Sequence, residues 1–310
     1  MVRIVKGLSS PASRGRYVAE ARKRLSERGS GKGLDRCLVC RGPELRRETV
    51  RFTRKSGREC KVSICRRCGY INNPENTKGD YRAMENLDAL PKCTRAGTHD
   101  RPGREYHMAK MAVDILGRQD LEVLVYGAGR SFDNHHIATL PEVRHVAIGD
   151  IMKVRDDAEF IDANQPAPRR FPVIIASEVI EHFRDPREDF AKLFKFVERD
   201  GLIVCGTNIY AGGRLADDAY LFFSDHTSYY TPQALRTIAS AAGLRIDFRT
   251  PIVGEKMRKR YVLFTKSAKV LEDVACYFGT QVYAPSEVRR PPRRPALAAR
   301  TRSGGPPSRD

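Results

Sequence analysis

The spacing of apolar residues changes at about residue 121. From there onwards, short apolar runs alternate with segments in which apolar residues recur every three or four positions. The runs predict strands and the segments between them predict helices. We predict strands at Leu121–Tyr126 and at residues 145–148, 173–176, 202–205, 244–248 and 261–264. This alternation favours an α/β fold with a parallel sheet, whose last two strands form a hairpin-like pair at the edge.

Helix-start residues mark two of the predicted helices. Asp185 is placed to cap a helix that begins at Pro186, and Gly201 is expected to end that helix before the next strand. Thr231, followed by a proline, predicts the start of a second helix. A third helix is predicted at about residues 104–116.

Changes in composition, together with glycine and proline residues, divide the chain into five predicted segments. They are a basic flexible leader at 1–33, a cysteine-rich module at 34–73, a connecting helical segment at 74–118, the α/β domain at 119–278 and a tail at 279–310. The tail is rich in Pro and Arg, and we expect it to be disordered.

The overall composition excludes several classes of protein. Hydrophobic residues make up 41% and charged residues 30% of the 310 positions, so most of the chain can bury a core. No apolar run approaches the roughly 18 residues that a membrane span requires. Eight cysteines are too few for a disulfide scaffold of this length. We therefore expect a cytoplasmic protein.

The net charge of +18 is concentrated at the two ends. Residues 1–70 contain twenty Lys and Arg against six Asp and Glu, and residues 279–310 contain seven against two. Basic ends can bind nucleic acid by releasing counterions. The alternative is a solvated, arginine-rich tail without a partner, because these runs lack the interleaved aromatic residues that stack on bases.

Two cysteine pairs predict a metal centre. Cys37 and Cys40 form one C-x-x-C pair, Cys65 and Cys68 form another, and 24 residues separate the pairs. Two such pairs present four thiolates in a tetrahedral set, which suits Zn²⁺. A site closed by four cysteines leaves no open position, so we expect this Zn²⁺ to be structural.

A glycine loop after the first α/β strand predicts a cofactor site. Gly127 and Gly129 come directly after the strand Leu121–Tyr126, where their lack of side chains lets a ligand approach the backbone. Asp150 ends the next predicted strand, 23 residues after Gly127. A carboxylate at that place can accept hydrogen bonds from both ribose hydroxyls of an adenosine cofactor.

The stretch Phe171-Pro-Val-Ile-Ile-Ala-Ser-Glu-Val-Ile-Glu-His-Phe-Arg-Asp-Pro186 resembles the fourth-strand motif of class I S-adenosylmethionine-dependent methyltransferases. The helix after Pro186 and the later stretch from His226 to Leu235 are similar to the segments after that motif in members of the family. The resemblance covers about residues 105–266. It implies a Rossmann-like, seven-stranded methyltransferase sheet, here preceded by a zinc-ribbon-like module.

The resemblance also implies a set of cofactor-binding residues. Gly127 and Gly129 would line the methionine part of S-adenosylmethionine, and Asp150 would hold the ribose. The remaining positions would lie near the adenine or beside the methionine, and they are Asp162, Ala163, Ser177 and Glu178.

Two acid-histidine pairs are candidates for the chemistry. Glu181 and His182 come after the fourth strand, and Asp225 and His226 come after the fifth. Histidine is the favoured base near neutral pH, and a neighbouring acid can orient the ring or raise its basicity. A four-cysteine module with an acid-His-x-x-Tyr stretch is similar to sugar C-methyltransferases, in which this histidine is the base. That likeness maps the base onto His226.

These observations lead to three hypotheses about function. The first is methylation of a small-molecule, sugar or glycan acceptor. The second is methylation of rRNA or tRNA, with the basic ends and the zinc module binding RNA. The third is a non-catalytic scaffold with a decayed cofactor site, because Val125 stands where the family usually has an acid and Ser131 replaces the third glycine. We favour the first.

Overall fold

The computed structural model describes residues 35–54, 57–76, 95–153, 155–252 and 258–280. The basic leader, Cys93 and nearly all of the tail lie outside these ranges. The described strands are β1 (Leu45–Arg51), β2 (Glu59–Cys65), β3 (Ile71–Asn72), β4 (Leu121–Tyr126), β5 (Val143–Asp150), β6 (Glu159–Asp162), β7 (Phe171–Ser177), β8 (Val197–Asn208), β9 (Ser228–Tyr229), β10 (Arg245–Arg249) and β11 (Lys259–Thr265).

Seven strands form the main sheet, in the order β10-β11-β8-β7-β4-β5-β6. The pairings from β8 to β6 are parallel, whereas β11 is antiparallel to both of its neighbours. The strand order reverses beside β4, the first strand of the sheet along the chain. Ligands of open α/β sheets bind at such a point, outside the carboxyl ends of the strands. The predicted α/β fold is confirmed.

Helices cover both faces of this sheet. They are α1 (Arg104–Leu116), α2 (Asp133–Ile137), α3 (Pro186–Phe194), α4 (Pro232–Ala241) and α5 (Ala268–Tyr277). The predicted caps of α3 and α4 are confirmed, because the Asp185 side chain accepts from the Glu188 amide at 3.3 Å and Thr231 Oγ1 accepts from the Ala234 amide at 3.0 Å.

One helix boundary predicted from the sequence was wrong. Gly201 does not end α3, which finishes at Phe194, but lies inside β8. The strand begins four residues before this glycine, since Val197 already pairs with Phe171. A side chain at Gly201 would place its Cβ 2.9 Å from the carbonyl oxygen of Pro172, so the glycine serves a close backbone approach within the sheet.

A second, four-stranded antiparallel sheet has the order β1-β2-β3-β9. Its first three strands belong to the cysteine-rich segment, but β9 comes from the loop after β8. The cysteine knuckles pack into the same hydrophobic core as α3 and α4, on one face of the main sheet. The helices α1 and α5 contribute to a separate core on the other face.

No helix within the described ranges combines the length and the apolar character needed to cross a membrane.

Candidate active site at the carboxyl edge of the main sheet

The four predicted zinc ligands converge. Cys37 Sγ lies 3.6 Å from Cys68 Sγ, and Cys40 Sγ lies 3.5 Å from Cys65 Sγ. These separations approach the spacing of about 3.8 Å that results from four Zn–S bonds of about 2.3 Å in a tetrahedron. The residues therefore fit a closed four-cysteine centre.

Backbone amides also surround this centre. The amides of Val39 and Cys40 donate to Cys37 Sγ at 3.4 and 3.5 Å, and the Cys68 amide donates to Cys65 Sγ at 3.5 Å. The hydrogen bond with Cys68 is the largest cause that lowers the pKa of Cys37, to about 5. Amide donors stabilise thiolates, which are the form that binds a metal.

The glycine loop leaves room at the end of β4. Gly127 has φ +69°, and a Cβ there would meet the Val179 side chain at 2.7 Å. Gly129 has φ +52°, and a Cβ there would meet nothing within 4 Å. The left-handed backbone and the close approach of Val179 both explain the first glycine. The open space beside the second is available to a ligand.

Asp150 lies at the end of β5, as predicted. Its Oδ1 accepts from the amide of Ile151 at 2.7 Å. Burial raises the pKa of Asp150 to about 6, against two backbone hydrogen bonds that lower it. Ile151 beside it is 48% exposed. Together they form an edge suited to a ribose and an apolar ring.

The other predicted cofactor residues end neighbouring strands. Asp162 ends β6, and its Oδ1 accepts from the Asn164 amide at 2.8 Å. The buried Ala163 donates its amide to the Asp150 carbonyl at 2.8 Å, which holds these two strand ends together. Ser177 ends β7, and its buried hydroxyl has no hydrogen-bond partner among the described residues. That orphaned hydroxyl fits a ligand at this edge.

Glu178 has a partner that the sequence reasoning missed. Its carboxylate forms an ion pair with Lys259, which is buried at the start of β11. Glu178 also has φ +55°, a strained conformation for a residue with a side chain. Because β11 is antiparallel, its first residue reaches the carboxyl edge of the parallel strands. That topology is the only signal in the sequence that points to Lys259.

A buried acidic cluster under the glycine loop was also missed. The Ser131 hydroxyl donates to Glu105 Oε2 at 3.0 Å, so the residue that replaces the third glycine ties the loop to α1. Asp133 accepts from the amides of Gly103 and Glu105, at 2.6 and 3.0 Å. Burial raises the pKa of Glu105 to about 7. Ser131 therefore has a structural role in this loop.

Glu181 is the centre of the second predicted constellation. It is fully buried, and its Oε1 accepts from the Tyr220 hydroxyl at 2.5 Å. Its Oε2 accepts from the Thr207 hydroxyl at 3.1 Å. Burial raises the pKa of Glu181 to about 7, although both hydroxyls lower it. Thr207 was not predicted, and its place at the end of the buried strand β8 is the signal that was overlooked.

The rings of His182 and His226 lie beside Glu181, with centroids 5.1 Å apart. His182 Nδ1 bonds to the carbonyl oxygen of Asp225 at 2.9 Å, and His226 Nδ1 bonds to that of Tyr220 at 3.0 Å. A carbonyl oxygen can only accept, so Nδ1 carries the proton in both rings. In the neutral form of such a ring, Nε2 carries the lone pair.

Asp225 acts to raise the pKa of His226, as expected, but its effect is outweighed. Its Oδ1 lies 4.0 Å from His226 Nε2, and its side chain is 45% exposed. Burial, followed by the neighbouring His182, lowers the pKa of His226 to about 4 and outweighs the effect of Asp225. The His226 ring is consequently neutral at physiological pH.

The structure thus brings all four predicted catalytic residues to one place, next to the predicted cofactor edge. The tyrosines of the same loop mainly position it. Tyr230 donates to the Ile180 carbonyl at 3.0 Å, and Tyr229 donates to Asp218. Phe223 is 50% exposed, and its ring centroid lies 5.0 Å from that of His226.

The seven-stranded sheet, its glycine loop and the acid that ends the second strand define a Rossmann-like, cofactor-binding α/β enzyme fold. Residues 103–247 match the family model of a methyltransferase domain, which is slightly less than half of the chain. This region is therefore similar to methyltransferase domains, as the resemblance to S-adenosylmethionine-dependent methyltransferases implied.

Several solved structures are similar to part of the chain. The 1,6-didemethyltoxoflavin-N1-methyltransferase of Burkholderia thailandensis, with bound 1,6-didemethyltoxoflavin and S-adenosylhomocysteine, is 17% identical over 52% of this chain and 77% of its own, with a TM-score of 0.39. An O-methyltransferase family protein of the same organism is 15% identical over 52% and 55%, with a TM-score of 0.42. The mitomycin 7-O-methyltransferase MmcR is 14% identical over 53% of each chain, with a TM-score of 0.43.

No curated protein matches the chain significantly.

Proposed function

We propose that the protein transfers a methyl group from S-adenosylmethionine to a small-molecule, sugar or glycan acceptor. The observation that carries this proposal is the meeting of two sets of residues at one edge of the main sheet. Gly127, Asp150 and Ser177 lie where a cofactor binds in such folds, and the Glu181–His182–His226 cluster lies beside them.

Residues of the chain itself would hold the cofactor. The backbone of Gly127 and Gly129 accommodates the methionine part, and Asp150 accepts from the ribose hydroxyls. Ile151 offers exposed apolar surface next to Asp150, and the Ser177 hydroxyl supplies a donor. When bound, S-adenosylmethionine supplies an electrophilic methyl group on a sulfonium.

His226 is the proposed general base. Its Nε2 lone pair would accept the proton of an acceptor hydroxyl while the acceptor oxygen takes the methyl group, whose bond to the sulfonium sulfur would break to leave S-adenosylhomocysteine. The Tyr220 carbonyl fixes the tautomer that makes this lone pair available. Because the pKa of His226 is low, the ring is always ready to accept a proton but is a weak base, so orientation of the acceptor must supply much of the rate.

The four cysteines are proposed to bind one structural Zn²⁺. Their sulfurs form a closed set that is distant in the sequence from the chemistry, and they anchor a sheet to which β9 belongs.

Calorimetric titration with S-adenosylmethionine and S-adenosylhomocysteine tests the cofactor. We expect micromolar binding that is lost in Asp150→Ala and kept in Asp114→Ala, a change on the exposed side of α1. Transfer of a labelled methyl group to a panel of nucleotide-sugars, glycans and small hydroxylated compounds then tests the acceptor. Absence of cofactor binding by folded protein would contradict the proposal.

RNA is the second candidate acceptor, because β1 exposes Arg46, Arg47 and Arg51. Two of these already form ion pairs, Arg46 with Glu48 at 2.9 Å and Arg51 with Glu59 at 3.2 Å, which reduces the positive field of the strand. RNA binding whose affinity falls steeply with salt, together with methyl transfer to RNA, would favour this candidate.

A further inference from the structure

We propose that Glu181, His182 and His226 form a binding site for one divalent cation, separate from the four-cysteine centre. One ligand atom of each residue, a carboxylate oxygen and two ring nitrogens, lies within 4.8 Å of the others. Two imidazoles with one carboxylate are a donor set that binds Zn²⁺ and related transition metals, and three protein ligands leave a position open.

The hydrogen bonds of the two histidines leave one nitrogen of each ring available as a metal ligand. Both histidines direct Nδ1–H to a backbone carbonyl, so the neutral form of each ring has its lone pair on Nε2. In metal centres this outer bond fixes the ring and raises its strength as a ligand. The rings are thus oriented by the backbone and not by Glu181.

The Glu181 carboxylate is also fixed by hydrogen bonds. The hydroxyls of Tyr220 and Thr207 each donate to one of its oxygens, which fixes the carboxylate while leaving further lone pairs. Arg104 lowers the pKa of Glu181 electrostatically, but its guanidinium forms its ion pair with Glu105, at 3.1 Å. Burying a carboxylate beside the lone pairs of two imidazoles is energetically unfavourable. A cation bound between these groups would offset that cost.

Accessibility differs across the cluster in a way that suits a ligand-binding metal. Glu181 is fully buried, whereas the His226 and His182 side chains are 11% and 22% exposed. The side of the cluster away from Glu181 is therefore the side from which an acceptor arrives. Its oxygen atoms can fill the open positions of the cation.

The consequence for the acceptor rests on the proposed function, but the binding site does not. A lone pair cannot hold both a proton and a metal, so an ion in the cluster would make His226 a ligand in place of a base. An acceptor with two adjacent oxygen atoms, such as a vicinal diol of a sugar, would then be oriented by the ion.

The test is a calorimetric titration of the full chain, with its cysteine centre already filled by one equivalent of zinc, using Zn²⁺ and separately Mn²⁺. We expect one further site per chain. Its affinity should fall at least tenfold in His182→Ala and in Glu181→Gln. It should be unchanged in His145→Ala, because His145 belongs to a surface histidine-carboxylate pair with Glu159.

His182→Gln, which keeps a side-chain donor toward the Asp225 carbonyl, guards against loss of binding through unfolding, and thermal melting checks each variant. No further site in the wild-type chain, or equal binding by wild type and a folded His182 variant, would overturn the inference. S-adenosylmethionine binding is measured in the same samples. Cofactor binding and methyl transfer without a second metal would leave the proposed function intact, whereas metal binding without cofactor binding would contradict only that function.

Discussion

The four-cysteine centre and the Glu181–His182–His226 cluster differ in how the chain assembles them. Each cysteine knuckle is local, and β1 and β2 bring the two knuckles together over fewer than 35 residues. The cluster combines a turn after β7 with a residue 44 positions later, in a loop whose β9 joins the other sheet. The first centre is closed and sulfur-rich, and the second is partly open with nitrogen and oxygen donors. The four-cysteine centre can therefore maintain the fold, while the Glu181–His182–His226 cluster is left accessible for chemistry.

The largest expected effect comes from removing a sulfur ligand. Cys65→Ser should reduce the zinc content from about one to about zero per chain, since apparent binding energies of structural zinc reach roughly 10–16 kcal/mol and are realised as folding. Metal analysis and limited proteolysis of the amino-terminal sheet measure this. Cys276→Ser, an exposed cysteine on α5, is the matched control and should keep its zinc. Full zinc content in Cys65→Ser would refute the closed centre.

The next effect is on turnover. His226→Ala should lower kcat by about 10²–10⁴-fold, the range that general acid–base catalysis contributes. Affinity for S-adenosylmethionine should stay within about twofold, because the cofactor residues lie on other strand ends. Steady-state kinetics and calorimetry separate the two quantities, with His145→Ala as control. Normal turnover in His226→Ala would remove this residue from the chemistry.

A pH effect is expected from Asp150, whose pKa burial raises to about 6. Ribose hydroxyls donate to the carboxylate, so the ionised form is the one that binds. Affinity for the cofactor should be constant above about pH 7 and should weaken as the pH falls through 6 and the carboxyl group takes up a proton. Asp150→Asn should bind more weakly at neutral pH and show a flat profile. A pH-independent affinity in the wild type would contradict the role of Asp150.

The smallest effect concerns the link between the two regions. The hydroxyls of Tyr70 and Ser228 are 2.7 Å apart in a buried setting. Tyr70→Phe should cost about 1 kcal/mol, which corresponds to a fall in Tm of a few degrees for a domain of this size. Tyr277→Phe, at a half-exposed position, is the comparison. An unchanged Tm in Tyr70→Phe would show that this hydroxyl pair does not contribute to joining the regions.

The sequence predicted those features that depend on local patterns. The α1 bounds and β4 agree with their predictions because apolar spacing and turn residues coincide there. The strand β6, with the sequence Glu-Phe-Ile-Asp, was not predicted, since four residues with polar ends give too short a signal. The ion pair between Glu178 and Lys259 was not predicted, because it depends on the direction in which β11 enters the sheet and not on residue spacing.

Two of the site's chemical properties likewise come from the fold. A sequence shows an aspartate beside His226, but burial and His182 decide the pKa of the ring. Ser131 looked like a defect in the glycine loop, and its contact with the buried Glu105 gives it a partner. Residue spacing in the sequence identifies candidate side chains. Burial and neighbouring residues in the fold determine their pKa values and hydrogen-bond partners.

The strand β9 has a consequence for the order in which the protein is made. Ile71 in β3 pairs with Tyr229 in β9, which lies almost 160 residues later in the chain. Until that residue has been synthesised, β3 has no partner strand on this side. Thr231 then hydrogen-bonds to the Cys68 carbonyl, and the amide of Asn73 to the Thr227 carbonyl. During synthesis the cysteine knuckles can take up metal early, but their sheet stays incomplete until most of the main sheet has emerged from the ribosome. A nascent chain arrested before residue 227 would therefore carry an open strand edge, and release beyond it would close that edge and order the loop that holds His226.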